Sequence, residues 1–440
     1  MKQLLFIFLL IAGINSHAQV LSLREQATIT DEVLADRLNN LLPQLMEKNG
    51  IDMWVMITRE YNEDPIVKTM LPATWISARR RTILVFYYNP QTKQYTKSAV
   101  ARYNVGDNIE AAWDMKKYPN QWDALKVLVE KYQPKKIAVN TSVNFAHADG
   151  IDHTEYQTLM QSLPEIYRQR VVSSEPLAIA WLETRTEREM QFYPQLIHMS
   201  KNIIAEGFSS KVITPGITTT EDLVWWYRQK INDLGLSTWF HPSVEIQRND
   251  SVAFDHLKAF TSKGFNSKDV ILQGDLLHVD FGISYLRLNT DIQEHAYVLQ
   301  PGETDAPAFL KAALAKANRL QDILTMQFKE NKTGNQILAD ALAMAKRENI
   351  HATIYTHPIG YHGHAAGPTI GLWDQQDGVP GSGDFPTHYK TAYSIELNAA
   401  VEITEWKKTI RMMLEQDGYF DEAGFRYING RQTQLHLVGN

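Results

Sequence analysis

No cysteine occurs in the 440 residues. A thiol nucleophile, a disulfide framework and a cysteine-ligated metal are thereby excluded, and any bound metal must rest on His, Asp and Glu. Basic charge is also short. The 44 Lys and Arg against 50 Asp and Glu leave a formal charge of −6, the wrong balance for a nucleic-acid binder. Long apolar runs are missing as well: the most marked, Leu4 to Ala12, is too short to span a bilayer. With Lys2 before it and the small residues Ser16 and Ala18 after it, this run reads as a secretory signal peptide cleaved after Ala18. The mature chain is then expected in a periplasm or secreted, without a membrane span.

What is present is a chain rich enough in apolar residues, at 44%, to build more than one core. After the leader (1–18), DEVLADRLNNLLPQLMEKNG predicts a helix with a Gly stop. IDMWVMITRE, RRRTILVFYYN and KKIAVN predict strands, and NQWDALKVLVEKY a helix among them. These make a smaller α/β domain, 19–176. The remainder, 177–440, mixes capped helices with strands and lacks a strict βαβ rhythm. In TTEDLVWWYRQKINDLG, Thr219 is the cap and Leu223, Tyr227, Ile231 and Leu234 share one face; in TGNQILADALAMAKREN, Thr333 and Gln336 form a capping box. VILQGDLLHVDFG, DIQEHAYVLQ, AYSIELNAAVEI and TIRMMLEQDGYF predict strands. The expected class is α+β, an antiparallel sheet covered by helices.

Several of these strands carry an acid where a core residue belongs. Asp280, framed by Val279 and Phe281, and Asp291 stand 11 positions apart. An odd spacing on one continuous strand sends side chains to opposite faces, so the two converge only if ISYLRLN turns the chain back as a hairpin. Directly opposed carboxylates would lie about 5 Å apart at Cβ and could not both be ionised without a cation. Downstream, His357, His362 and His364 lie in the glycine-rich THPIGYHGHAAGPTIG, Glu396 interrupts AYSIELNAA, and Glu415 interrupts RMMLEQDGYF. Two Asp, one His and two Glu form a hard, oxygen-rich donor set suited to Mn²⁺, with Co²⁺, Fe²⁺ or Zn²⁺ as alternatives.

This order of residues resembles the M24 metallopeptidase family of methionine aminopeptidase, aminopeptidase P and prolidase, whose fold is the pita-bread fold. The resemblance covers most of the mature chain and implies a creatinase-like α/β N-terminal domain ahead of a pita-bread catalytic domain. By position it implies Asp280, Asp291, His364, Glu396 and Glu415 as ligands of two divalent metal ions. His362 is the alternative in the same loop and a candidate for substrate binding. Leu397 stands where the family has Pro, and MLEQD matches the last motif most loosely. His256 matches a histidine near the substrate and Glu396 a proton shuttle, which makes both catalytic candidates, whereas His241 before Pro242 is structural. Where the peptidases carry a second histidine after the metal ligand, this chain reads Trp373-Asp374, with His362 or His357 as substitutes.

The amino-terminal domain implies an aminopeptidase P or prolidase type, cleaving an Xaa-Pro bond of a peptide substrate, with Trp239 or Trp373 available for a proline pocket. A homodimer follows from the resemblance alone. The rival readings are a non-catalytic pita-bread protein that binds a peptide or small ligand, and a creatinase-like C–N hydrolase. The retained acids argue against the latter.

Overall fold

The computed structural model describes residues 20–250 and 269–439. The expected leader and His256 lie outside the described residues.

Six strands come first: β1 (Met53–Arg59), β2 (Arg81–Tyr88), β3 (Tyr95–Val100), β4 (Glu110–Ala111), β5 (Ile137–Val139) and β6 (Val171–Ser173). They form one mixed sheet in the order β4-β3-β2-β1-β5-β6. The apolar run of β1 is buried on both faces, as a central strand between two helical layers requires. Trp54 and Met56 enter one core with Leu34, Leu38 and Leu177. Met53, Val55 and Ile57 enter another with Leu125 and Val129. Trp54 keeps its polar edge satisfied by donating from Nε1 to Asn140 Oδ1 at 2.7 Å.

The helix Glu187–Gly207 leads into the second half, opened by a capping box between Thr186 and Glu189. Thr219 caps the helix Thr220–Asp233 as expected, and Leu223, Tyr227 and Ile231 are buried. Leu234 is not: it is the C-cap, 39% exposed, because the helix stops before that face can return to the core. The predicted capping box of Thr333 and Gln336 opens the helix Gly334–Arg347. Among the described residues no helix is long and apolar enough to cross a membrane.

The strands of this half are β7 (Ser243–Gln247), β8 (Leu276–Phe281), β9 (Ser284–Tyr285), β10 (Leu288–Asn289), β11 (Ile292–Val298), β12 (His351–Ile354), β13 (His357–Ile359), β14 (Thr391–Ser394), β15 (Leu397–Ile403), β16 (Lys408–Leu414), β17 (Asp417–Asp421), β18 (Gly424–Tyr427) and β19 (His436–Val438). One sheet runs β19-β11-β8-β7, a second β12-β15-β16 and a third β13-β14-β17-β18. AYSIELNAAVEI and TIRMMLEQDGYF are therefore each two strands. The chain leaves β14 for β15 through Ile395 and Glu396, and β16 for β17 through Glu415 and Gln416. Tyr355 and Thr356 make the same passage between β12 and β13. Breaks in strand pairing re-aim side chains that strict alternation would bury or expose.

Candidate metal centre

Asp280 and Asp291 meet across the β8–β11 ladder, which pairs Asp280 with Gln293 and Phe281 with Ile292. The two aspartates are thus offset by two positions on one face, rather than directly opposed as the sequence spacing suggested. The small hairpin of β9 and β10 intervenes, with Leu286 and Arg287 at φ of 51° and 64°, the left-handed pair that a two-residue turn needs. Gly282, just after Asp280, faces the Thr290 carbonyl so closely that a Cβ there would lie 2.3 Å from its oxygen. Gly282→Ala is expected to cost about 1–3 kcal/mol through this backbone collision and to lower metal retention; urea unfolding and metal analysis check both.

The three strand breaks bring in the other donors. Glu396 and Glu415 sit at two of them, and His357 opens β13 directly after the third. Asp280, Asp291 and Glu415 form one group whose donor atoms all lie within 4.8 Å of one another; His357, Glu396 and Glu415 form a second, and Asp291, His357 and His364 a third. His357 Nε2 is 3.6 Å from Glu415 Oε1 and 3.8 Å from Asp291 Oδ2. Asp280 Oδ1, Asp291 Oδ1 and His357 Nε2 are buried without a hydrogen-bond partner. Such orphaned donors and acceptors in one space are costly unless a cation joins them. Burial, with the Glu415 charge next in importance, pushes the Asp280, Asp291 and Glu396 carboxyls well above their ordinary range. The donor set of carboxylate oxygens and imidazole fits hard or borderline divalent ions.

The histidines divide by place. His357 is buried on a strand and belongs to two of the three groups; His364 stands edge-on to it with ring centroids 4.7 Å apart and belongs to one. Burial and the adjacent His357 lower His364 to about 4. His362 points elsewhere, its ring centroid 4.2 Å from that of His147 and tilted by 40° to it; His147 comes from the turn Ala146–Ala148 of the amino-terminal half. Trp239 lies 5.1 Å from His364 and donates from Nε1 to the Thr290 carbonyl. Gly363 passes directly over that indole, where a Cβ would come within 2.2 Å.

Sequence reasoning missed the groups that hold the acids in place. Gln293 donates from one amide nitrogen to Glu396 Oε1 at 2.9 Å and to Glu415 Oε2 at 2.8 Å. Its oxygen faces His278 Nε2 at 3.0 Å, and His278 Nδ1 faces Glu245 at 2.5 Å. Ser394 donates to Glu415 Oε1 at 2.7 Å, and Asp417 accepts the Asp291 amide at 3.2 Å. Outer partners of this kind orient ligands and commonly affect metal affinity 10–100-fold. The period-2 pattern of DIQEHAYV placed Gln293 on the Asp291 face, which was the available signal.

Residues 195–393 match the sequence model of metallopeptidase family M24. That segment is similar to the metallopeptidase domain of family M24. It contains Asp280, Asp291, His357 and His364, while Glu396 and Glu415 follow it at the β14–β15 and β16–β17 junctions. The chain is similar in structure to an X-Pro aminopeptidase from Thermotoga maritima, with a TM-score of 0.62 and 16% identity over 90% of this chain and 100% of that one. It is also similar to an Xaa-Pro dipeptidase from Bacillus anthracis, at 0.58 and 15% over 94% and 100%. The dipeptidase PepE from Mycobacterium ulcerans gives 0.59 and 15% over 94% and 98%. At such identities the likeness concerns the fold: a pita-bread M24 domain preceded by a smaller α/β domain. A comparison with curated protein sequences finds none that matches the chain.

Proposed function

We propose that this protein is a metal-dependent exopeptidase that hydrolyses the amino-terminal bond of peptides, with Xaa-Pro bonds as its substrates. The observation that carries this reading is the convergence of Asp280, Asp291, His357, Glu396 and Glu415 in one buried space, with His364 at its edge. The names of the structurally similar X-Pro aminopeptidase and Xaa-Pro dipeptidase support the substrate class. Asp280, Asp291, Glu396, Glu415 and His357 would hold two divalent cations, of which Mn²⁺ is the first choice. When bound, such ions supply Lewis-acid charge to a carbonyl oxygen and bring the pKa of water toward neutrality.

The other steps belong to the chain. His364, neutral at neutral pH, has one accepting and one donating ring nitrogen and can take a proton from the attacking water or pass one to the departing amine. With His357 in the ligand role, His364 takes the part that position 373 lacks. Glu396 is a second proton carrier, and Gln293 keeps its carboxyl oriented. The Trp239 indole offers a flat apolar wall for a proline ring. His362, beside His147, remains proposed as a substrate contact. His256 remains proposed as a further hydrogen-bond donor. Export through the leader and a homodimer belong to the same reading, and the mature amino terminus and sedimentation would test them.

The decisive experiment is metal analysis of dialysed protein together with an Xaa-Pro peptide assay in added Mn²⁺. Folded protein with neither metal nor cleavage would end the proposal; metal without cleavage would favour a ligand-binding protein. His357→Ala is expected to lose metal. His364→Ala is expected to keep it while kcat falls on the order of 10²–10⁴-fold. The reverse pattern would return the ligand role to His364.

A further inference from the structure

The amino-terminal sheet carries a second concentration of charge, of the opposite sign. Arg79, Arg80 and Arg81 are consecutive where the chain enters β2, and Arg102 follows β3, the strand paired beside it. All four line one cavity of about 290 Å³. Arg81 is neutralised by Glu155, with Nε to Oε2 at 2.8 Å and Nη2 to Oε1 at 3.0 Å. Arg79, Arg80 and Arg102 have no ion-pair partner among the described residues.

Three guanidinium groups without an ion-pair partner line one cavity, in a chain whose overall charge is −6. Their arrangement is also held. Arg79 lies over Trp75 at 4.8 Å and Tyr103 at 5.6 Å. Arg80 adopts φ of +48°, a conformation uncommon for a residue with a side chain, and its backbone is fixed by an N–H to Glu60 Oε2 at 3.2 Å and a carbonyl accepting from Glu60 N at 2.6 Å. An anionic ligand at this cavity would meet guanidinium groups that no carboxylate already holds. Tyr103 and Trp113 add apolar walls to the same cavity, and the helix Gln121–Tyr132 starts at its edge.

We infer that this cavity is a binding site for a phosphate monoester. A single carboxylate is satisfied by one guanidinium fork, whereas a tetrahedral dianion accepts from three separate directions and can be shared by Arg79, Arg80 and Arg102. The volume is near the lower end for small-molecule pockets and exceeds what phosphate alone fills, leaving space for a ring or short chain between Trp113 and Tyr103.

The test titrates the mature full chain with phenyl phosphate and with inorganic phosphate by calorimetry, and adds vesicles of phosphatidic acid, with phosphatidylcholine as control. One molecule of phenyl phosphate should bind per chain, more tightly than inorganic phosphate. Arg80→Gln combined with Arg102→Gln should weaken it roughly tenfold or more for each guanidinium lost, at an unchanged unfolding midpoint. If the double variant fails to fold, Trp113→Ala serves instead and should weaken phenyl phosphate while sparing inorganic phosphate. No binding of phenyl phosphate, or equal binding by parent and variants, overturns the assignment. Binding to phosphatidic acid vesicles alone overturns the small-molecule site in favour of a lipid headgroup. The readout is binding rather than turnover, so it is independent of the outcome of the peptidase assay.

Discussion

Asp291→Asn yields a protein that is more stable than its parent in the absence of metal and gains nothing when metal is added. The carboxyl of Asp291 is 3% exposed as a residue, has one oxygen without a partner, and faces the charges of Glu415, Asp280, Glu396 and Asp417. Without a cation, this charge opposes folding, and an amide of the same shape removes it and can donate to a neighbouring carboxylate. A gain of about 1–3 kcal/mol is expected in the metal-free state, the scale of relieving one unsatisfied buried group. Metal retention should be lost, and with it activity by roughly a hundredfold or more, beyond the usual effect of an outer-shell change. Unfolding curves with chelator and with Mn²⁺, read beside metal content, check the pair. A variant that still binds two ions per chain, or that is destabilised without metal, would remove Asp291 from the centre.

The second large effect is a metal-dependent response to pH. Burial and mutual repulsion raise the carboxyls of Asp280, Asp291 and Glu396 in the folded protein above the values of 3.8 and 4.5 that Asp and Glu have when unperturbed. Between those values and the raised ones, the folded metal-free chain holds more protons than the unfolded chain, so its stability falls as pH rises. Each group can contribute about 1.4 kcal/mol for each pH unit within its window, and the coupled set titrates together. Cation binding displaces these protons, so the difference in stability between loaded and stripped protein should widen from pH 5 to pH 8. Histidines act with the opposite sign. Burial lowers His295 and His362 to about 3 and His388 to about 4, so their contribution is complete above the unperturbed 6.5 and is lost as pH falls. These three are not among the grouped donors, so their effect is common to both forms and cancels in the difference. Denaturant titrations with chelator and with Mn²⁺ at several pH values provide the measurement; a gap that stays constant with pH would contradict it.

How much of this was legible in the sequence differs by residue. The four acids were legible because a carboxylate inside an apolar strand is anomalous on its own, whatever the fold. The helix caps at Thr219 and Thr333 were legible because capping is local. The histidine was harder. Within THPIGYHGH, glycine and proline read as a loop, and nothing in a loop tells which ring faces inward. The structure makes His357 the first residue of β13, with Pro358 tolerated because that strand is a sheet edge. His278, Gln293 and Ser394 were hidden for another reason: each is an ordinary polar residue whose role exists only through partners 15 to 122 positions away.

The sequence by itself determined the donor chemistry, the resemblance to M24 enzymes and the alternation of elements, since these depend on residue type and short-range period. Only the tertiary structure decided where the chain breaks between sheets and which acids lie within reach of His357 and His364. It also brought Arg102 to the same cavity as Arg79 and Arg80. Those outcomes rest on strand pairing and on contacts between segments far apart in the chain, and neither leaves a periodic trace in the residues themselves.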